Sequence, residues 1–247
     1  TVSDYFPVEK EYGYSVFSTV FYAEFNDKKL NVIDCPGSDD FVGGAITALT
    51  VTDTGVIVVD SQYGVEVGTQ NIFRYAEKLE KPVIFAMNQL DGEKADFDNS
   101  MEQLREHFGN KVTVIQYPIN AGHSFNAMID VLLMKMYKWK PEGGVPEISD
   151  IPAEEMDKAT ELHQKLVEAA AENDESLMEK FFDQGKLTED EMREGIRKGL
   201  LTRDILPVCC VSARNDMGVR RLMYFLGLRV PSITDVLAQL RSLWPSV

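Results

Sequence analysis

The sequence predicts an α/β fold, a mostly parallel sheet flanked by helices. Two observations predict it. Short apolar runs, Val56-Ile57-Val58-Val59 and Val83-Ile84-Phe85-Ala86-Met87 among them, alternate with stretches of helical period. These runs are continuous rather than alternating, as strands covered on both faces are.

The elements follow in order. Residues 16–25 read as a strand, with Phe17, Thr19, Phe21 and Ala23 alternating against the rest. Residues 29–33 are its hairpin partner across Asn26-Asp27-Lys28. Residues 38–52 are helical in part, and 55–60 form a fully buried strand. Residues 67–79 form an amphipathic helix with Phe73, Ala76 and Leu79 on one face. A strand over 82–87 comes next. The helix over 96–108 has acids at its start, and a strand over 112–116 follows it.

From residue 120 to about 205 the chain is denser in acid, as at Glu154-Glu155 and Glu172-Asn173-Asp174-Glu175. Helices are expected over 152–172, 175–182 and 188–201, the last capped by Thr188 with Glu191 three residues on. The core pattern resumes with a strand over 205–211 and a helix over 217–226. The tail, 231–247, reads as a short helix or a linker. Three units result: a first core part at 1–119, an α+β insert at 120–205, and a last core part at 206–247. Leu132, Leu133, Met134, Met136 and Trp139 read as the core of the insert.

Composition bounds the function. The 247 residues are 44% hydrophobic and 26% charged, enough for a sizeable core. A net charge of −15 argues against a nonspecific grip on phosphate backbone, which relies on Lys and Arg. Cys35, Cys209 and Cys210 lack metal-like spacing and read as reduced thiols of a cytoplasmic protein. His107, His123 and His163 are scattered and read as solvent or packing residues. No apolar run approaches the roughly 18 residues of a membrane span, and Thr1 begins no signal peptide. Thr1 is not Met, and the chain opens in mid-pattern, as a piece of a longer protein would.

Two motifs sit at strand ends. Asp34-Cys35-Pro36-Gly37 follows Leu30-Asn31-Val32-Ile33, and Asn88-Gln89-Leu90-Asp91 follows the 82–87 strand. In a nucleotide site, Asp34 would hold Mg²⁺ through water and the Gly37 amide would meet a γ-phosphate. Alone, Asp-x-x-Gly reads equally as a capped strand-to-helix turn. Asp91 can accept two hydrogen bonds from guanine N1–H and N2–H₂, a donor pair adenine lacks, which is worth roughly 1–3 kcal/mol of selectivity. Asn88 would brace neighbouring loops. The bland alternative is a surface turn, since Asn and Asp are common after strands. Ser212-Ala213, after the 208–211 run, offers a backbone amide to guanine O6. A Gly-x-x-x-x-Gly-Lys-Ser/Thr loop is absent from the 247 residues.

With these residues in view, the chain resembles the translational GTPases, and among them elongation factor G as a divergent paralogue. Asp34-Cys35-Pro36-Gly37-Ser38-Asp39-Asp40-Phe41 is similar to their second switch, Asp-Thr-Pro-Gly-His-x-Asp-Phe. Asn88-Gln89-Leu90-Asp91 resembles Asn-Lys-x-Asp. Gly13-Tyr14-Ser15 resembles the Gly-Ile-Thr of the first switch. Gln116-Tyr117-Pro118-Ile119 begins what looks like the factor-G insert, and the likeness runs on through Asp150-Ile151-Pro152-Ala153, Leu177 to Phe181 and Gly218-Val219.

The resemblance implies a P-loop-NTPase-like GTPase domain lacking its first strand and phosphate loop. It implies GTP or GDP with Mg²⁺, the metal near Asp34 and Ser15, and nucleotide contacts from residues 34–37, 88–91, 212 and 213. It implies a cytoplasmic factor acting on the ribosome in translocation, with no membrane and no direct sequence-specific nucleic-acid contact. The acidic insert is a solvated face or a dock for a ribosomal stalk protein. Ser38 stands where the family has a water-orienting His, which predicts slow hydrolysis. Gln89 replaces a Lys whose stem lies along the base, and Cys35 replaces a Thr. A nucleotide-gated ribosome-protection or release protein, and a fragment inactive alone, are the alternatives. The absent central strand would leave two strand edges beside a slot. Without a phosphate loop to hold the diphosphate, GDP affinity would be limited to about millimolar, near −4 kcal/mol.

Overall fold

The computed structural model describes residues 2–227. The expected tail at 231–247 lies outside the described residues.

A short helix, α1 (Pro7–Tyr12), opens the chain. Hydrophobic patterning does not predict it, although Pro7 at its first position and Gly13 after it, at φ 73°, are ordinary start and stop signals. Strands β1 (Thr19–Phe25) and β2 (Lys28–Asp34) form an antiparallel hairpin. Its turn has two residues, Asn26 and Asp27, both at positive φ, so Phe25 pairs with Lys28. A 3₁₀ turn (Asp39–Phe41) leads into α2 (Val42–Val51).

The main sheet is parallel throughout, in the order β3-β4-β10-β5. Its strands are β3 (Gly55–Asp60), β4 (Val83–Asn88), β5 (Val112–Val114) and β10 (Leu206–Cys210). Between β3 and β4 runs α3 (Val67–Lys78), and between β4 and β5 runs α4 (Phe97–Phe108). Asp96 caps α4 by accepting from the Asn99 amide at 3.0 Å. Phe73, Phe85 and Phe108 meet at centroid separations of 4.3 to 6.0 Å and tie α3 and α4 to the sheet. This is the expected α/β, P-loop-GTPase-like arrangement.

The run over 112–116 does not continue as one strand. It breaks at Ile115, and β6 (Gln116–Pro118) joins a second, antiparallel sheet with β7 (Ala127–Asp130), β8 (Lys135–Lys138) and β9 (Glu147–Ser149), in the order β6-β7-β8-β9. Helices α5 (Ala153–Ala171), α6 (Glu175–Gln184) and α7 (Glu189–Thr202) follow and pack on one another. The capping box of α7 forms as expected, Thr188 with Glu191. Leu132 and Trp139 are buried in the hydrophobic core, with Leu133, Met134 and Met136 against them. After β10, α8 (Val219–Leu226) completes the described chain.

One expectation needs correction. The 55–60 strand is not fully buried: Ile57 and Val59 are, but Val56 is 38% and Val58 60% exposed. The hairpin is open as well, with Val20 72% exposed and Tyr22 58%. The reason is topological. Among the described residues β2 pairs only with β1, and β3 only with β4, so nothing covers the flank between them. An apolar run reports which residues a covered strand would bury, not whether a cover is there.

Candidate functional site

Two of the sequence-identified motifs, 88–91 and 212–213, meet at the carboxyl ends of the parallel strands β4 and β10, where ligands bind in open α/β sheets, while Asp34–Gly37 follows β2 in the separate antiparallel hairpin. Asn88 ends β4, and β10 runs beside it, with Cys210 opposite Met87. The two following loops are therefore neighbours. The Ala213 amide donates to Asn88 Oδ1 at 3.0 Å, joining residues 125 apart in sequence. Asn215 Nδ2 donates to Asp91 Oδ2 at 3.0 Å. Asn88 thus braces a loop, as expected, and the braced loop is the one that carries Ser212 and Ala213.

That loop is a tight turn. Ser212 and Met217 pair across it, and Gly218 closes it at φ 79°. A Cβ at Gly218 would meet the Cys210 carbonyl at 2.1 Å, so only glycine fits. The Ser212 side-chain oxygen is buried and carries no hydrogen bond. A buried hydroxyl without a partner costs free energy, and a polar ligand seated beside it would relieve that cost.

Leu90 is fully buried and anchors the 88–91 loop. Gln89 sits in the left-handed region, at φ 59°. Its amide donates to Asp60 Oδ2 at 2.6 Å and accepts from Gln62 Nε2 at 3.0 Å. Gln89 is therefore held over the ends of β3 and β4 by its own amide chemistry, something a Lys at this position would reproduce only in part. Asp60 also accepts from the Gln62 amide at 2.8 Å. Asp60 and Asn215 are the residues that motif spacing missed. Asp60, which ends an apolar strand as Asp34 does, carried a readable signal.

Asp34 ends β2, and Pro36 behind it is buried. Burial first, opposed by a hydrogen bond with Ser18 and aided by the Asp34 carboxylate, pushes the Cys35 thiol up, so it packs as a protonated group. Gly37 is exposed with open space around it, leaving its backbone approachable. Ser38 caps the 3₁₀ turn, its hydroxyl accepting from the Asp40 amide at 3.4 Å. The segment then rests on the start of α3, where Asn71 Nδ2 donates to Asp39 Oδ1 at 3.4 Å.

Ser15 is placed elsewhere. Its hydroxyl donates to Asp4 Oδ1 at 2.6 Å. The segment around it is held by Glu9, whose carboxylate accepts from the amides of Val16, Phe17 and Phe6 at 3.0, 3.1 and 3.2 Å. Those bonds, the one from Val16 foremost, keep the Glu9 carboxyl below its usual range. His163 packs with Nδ1 at 2.7 Å from the Val131 carbonyl oxygen.

Fit to a guanine nucleotide divides by part. The base end fits in part: Asp91 offers an acceptor carboxylate and Ser212 an unpartnered hydroxyl, whereas the backbone amides of Ser212 and Ala213, expected to meet guanine O6, are donated to the Met217 carbonyl and to Asn88 Oδ1. The phosphate end offers the Gly37 backbone and Asp34, without the glycine-rich cradle the sequence lacks. When bound, Mg²⁺ supplies charge neutralisation to phosphate oxygens, and Asp34 is the strand-end carboxylate available to it.

A parallel α/β sheet with paired loops at its carboxyl edge defines a mononucleotide-binding domain. The chain matches the family model described as the Elongation factor Tu GTP binding domain over residues 1–232, and it belongs to that family. It is also similar to a protein of Thermus thermophilus solved by crystallography, at 28% identity and a TM-score of 0.88 over 95% of this chain. The match spans 35% of that protein's length. Among the described residues, no helix is long and apolar enough to cross a membrane.

Proposed function

We propose that the chain is the guanine-nucleotide-binding domain of an elongation factor G-like translation factor that binds GTP or GDP with Mg²⁺ and acts on the ribosome in translocation. The observation that carries this reading is the junction of the 88–91 and 212–215 loops through Ala213 to Asn88 and Asn215 to Asp91. The four-stranded insert sheet with its helix trio supports the factor-G assignment. Asp91 accepts from the guanine base, Ala213 and Ser212 close the pocket, and Asp34 and Gly37 face the phosphates and metal. Ser15, whose hydroxyl donates to Asp4, keeps its oxygen lone pairs for the metal. A ribosomal stalk protein docking on the acidic insert, and a cytoplasmic setting, belong to the same reading.

Hydrolysis is slow in this proposal. A serine at position 38 is too short to orient a water as an imidazole does, and its oxygen is engaged by the Asp40 amide. In related enzymes, full activation of the attacking water is worth up to about 10⁵ in rate. The second reading, a ribosome-protection or release protein gated by nucleotide occupancy, is favoured by that same capping bond.

Calorimetric titration of the chain with GDP, GTP and ATP in Mg²⁺ tests the proposal. Selective guanine binding, weaker than micromolar, is expected. Equal binding of ATP would overturn it. In a protein that carries this domain and hydrolyses GTP, Ser38→His raising the rate favours the translocation factor, and no gain favours the gated protein.

A further inference from the structure

We infer that Asn215 is a specificity-determining positioning residue of the base pocket, and that the insert sets it. The inference rests on the base-pocket reading above and adds a residue and a coupling to it.

Asp91 recognises guanine only if both carboxylate oxygens face the N1–H and N2–H₂ donors together. A carboxylate on a loop is free to rotate about its terminal torsion, which is broad. Asn215 removes that freedom. Its amide donates to Asp91 Oδ2 at 3.0 Å, using one lone pair and leaving another, together with Oδ1, for the base.

Asn215 is itself fixed from outside the core. Gly143, in the loop between β8 and β9, lies against its backbone: a Cβ at Gly143 would stand 1.8 Å from the Asn215 carbonyl oxygen and 3.0 Å from its carbon. Gly143 adopts φ 74°, which a side chain would strain in any case. The loop around it is anchored within the insert. The Gly143 amide donates to the Lys140 carbonyl at 2.9 Å, and the indole of buried Trp139 donates to the Gly144 carbonyl at 3.1 Å. A line therefore runs from Trp139 through the Gly143-Gly144 loop and Asn215 to Asp91. Whatever shifts the β8–β9 loop shifts the carboxylate that reads the base.

The discriminating probe is inosine diphosphate, which lacks the exocyclic amine of guanine. Affinities of the 247-residue chain for GDP, inosine diphosphate and ADP are measured by NMR titration, which reaches millimolar binding. The wild type prefers GDP to inosine diphosphate. Asn215→Ala lowers GDP affinity about tenfold, the scale of a hydrogen bond to a charged group, and narrows the GDP-to-inosine ratio. Asn215→Asp keeps the shape, sets a second carboxylate against Asp91, and loses more than alanine. Gly143→Ala, whose Cβ meets the Asn215 backbone and not Asp91, narrows the ratio in the same direction. Asn215 is a half-exposed loop residue, so its variants remain interpretable even where Gly143→Ala disturbs the insert. A merely structural role would weaken all nucleotides alike. If the wild type selects guanine and Asn215→Ala leaves the ratio unchanged, the inference is wrong and the pocket stands. If the wild type binds no guanine nucleotide, pocket and inference fall together.

Discussion

Arg221 Nε donates to the Asp130 carboxylate at 3.0 Å, and Asp130 is wholly buried. This pair joins α8 of the core to β7 of the insert. Asp130 also accepts from Gln116 Nε2 at 3.4 Å and from the Leu133 amide at 2.9 Å. Gln116 in turn accepts from the Cys210 amide at 3.0 Å, tying the network to β10. The Arg221 guanidinium lies over the rings of Tyr137 and Tyr224, at 5.2 and 4.8 Å from their centroids. The two sheets are thus riveted by a charge pair whose every polar contact is directional.

Removing one partner leaves the other charge buried and uncompensated, at a cost of about 3–5 kcal/mol. Arg221→Ala is expected to destabilise the chain by that order in urea denaturation. Arg221→Lys recovers only part of it, because a point ammonium cannot reproduce the two guanidinium hydrogen bonds and the stacking. A loss under about 1 kcal/mol would contradict the rivet.

The α7 capping box titrates in acid. The Lys180 ammonium first, then the Thr188 amide, hold the Glu191 carboxyl down to about 2. A depressed carboxylate contributes stability that is complete above its unfolded value of about 4.3 and drains away as pH falls toward about 2. Thermal melts of Glu191→Gln and wild type should therefore differ most above about pH 5 and converge in strong acid. Separately, Thr188→Ala should cost about 1 kcal/mol at neutral pH.

Asp91→Asn reverses one arm of the base contact. An amide in place of the carboxylate presents an N–H to one of the guanine donors. GDP binding is expected to fall at least about tenfold, while xanthosine diphosphate, with a carbonyl in place of the exocyclic amine, gains. Competition between the two diphosphates reads this directly, and an unchanged preference would remove Asp91 from the base pocket.

Val58 is 60% exposed on β3, a strand paired on one side only among the described residues. Apolar open edges template association between chains. Val58→Lys should reduce concentration-dependent light scattering while leaving the melting temperature within a few degrees. Scattering unchanged by the substitution would place the sticky surface elsewhere.

Much of the fold was legible because its signals are local. β3 has the expected bounds, residues 55–60, because four consecutive β-branched residues sit between a Gly and an Asp. The end of α4 at Phe108 and the cap of α7 followed from helical period and a capping box within single turns. The break at Ile115 was not legible. Residues 112–118 are uniformly strand-like, and which sheet each half joins depends on partners 14 to 94 residues away, β7 and β10.

The candidate site divides in the same way. Asp34, Gly37, Asn88, Asp91, Ser212 and Ala213 were readable from residue type at strand ends. Asn215 was not, because nothing local marks an Asn in a polar turn as the partner of Asp91, 124 residues earlier. The tertiary structure also decided that Ser15 serves Asp4, that Ser38 caps its own turn, and that Val58 faces outward. The sequence alone determined most elements of the core and the order of the motifs, because propensity, periodicity and hydrogen-bonding capacity belong to residues. Only the folded chain settled which of those capacities are spent on one another, because that depends on which loops two parallel strands bring side by side.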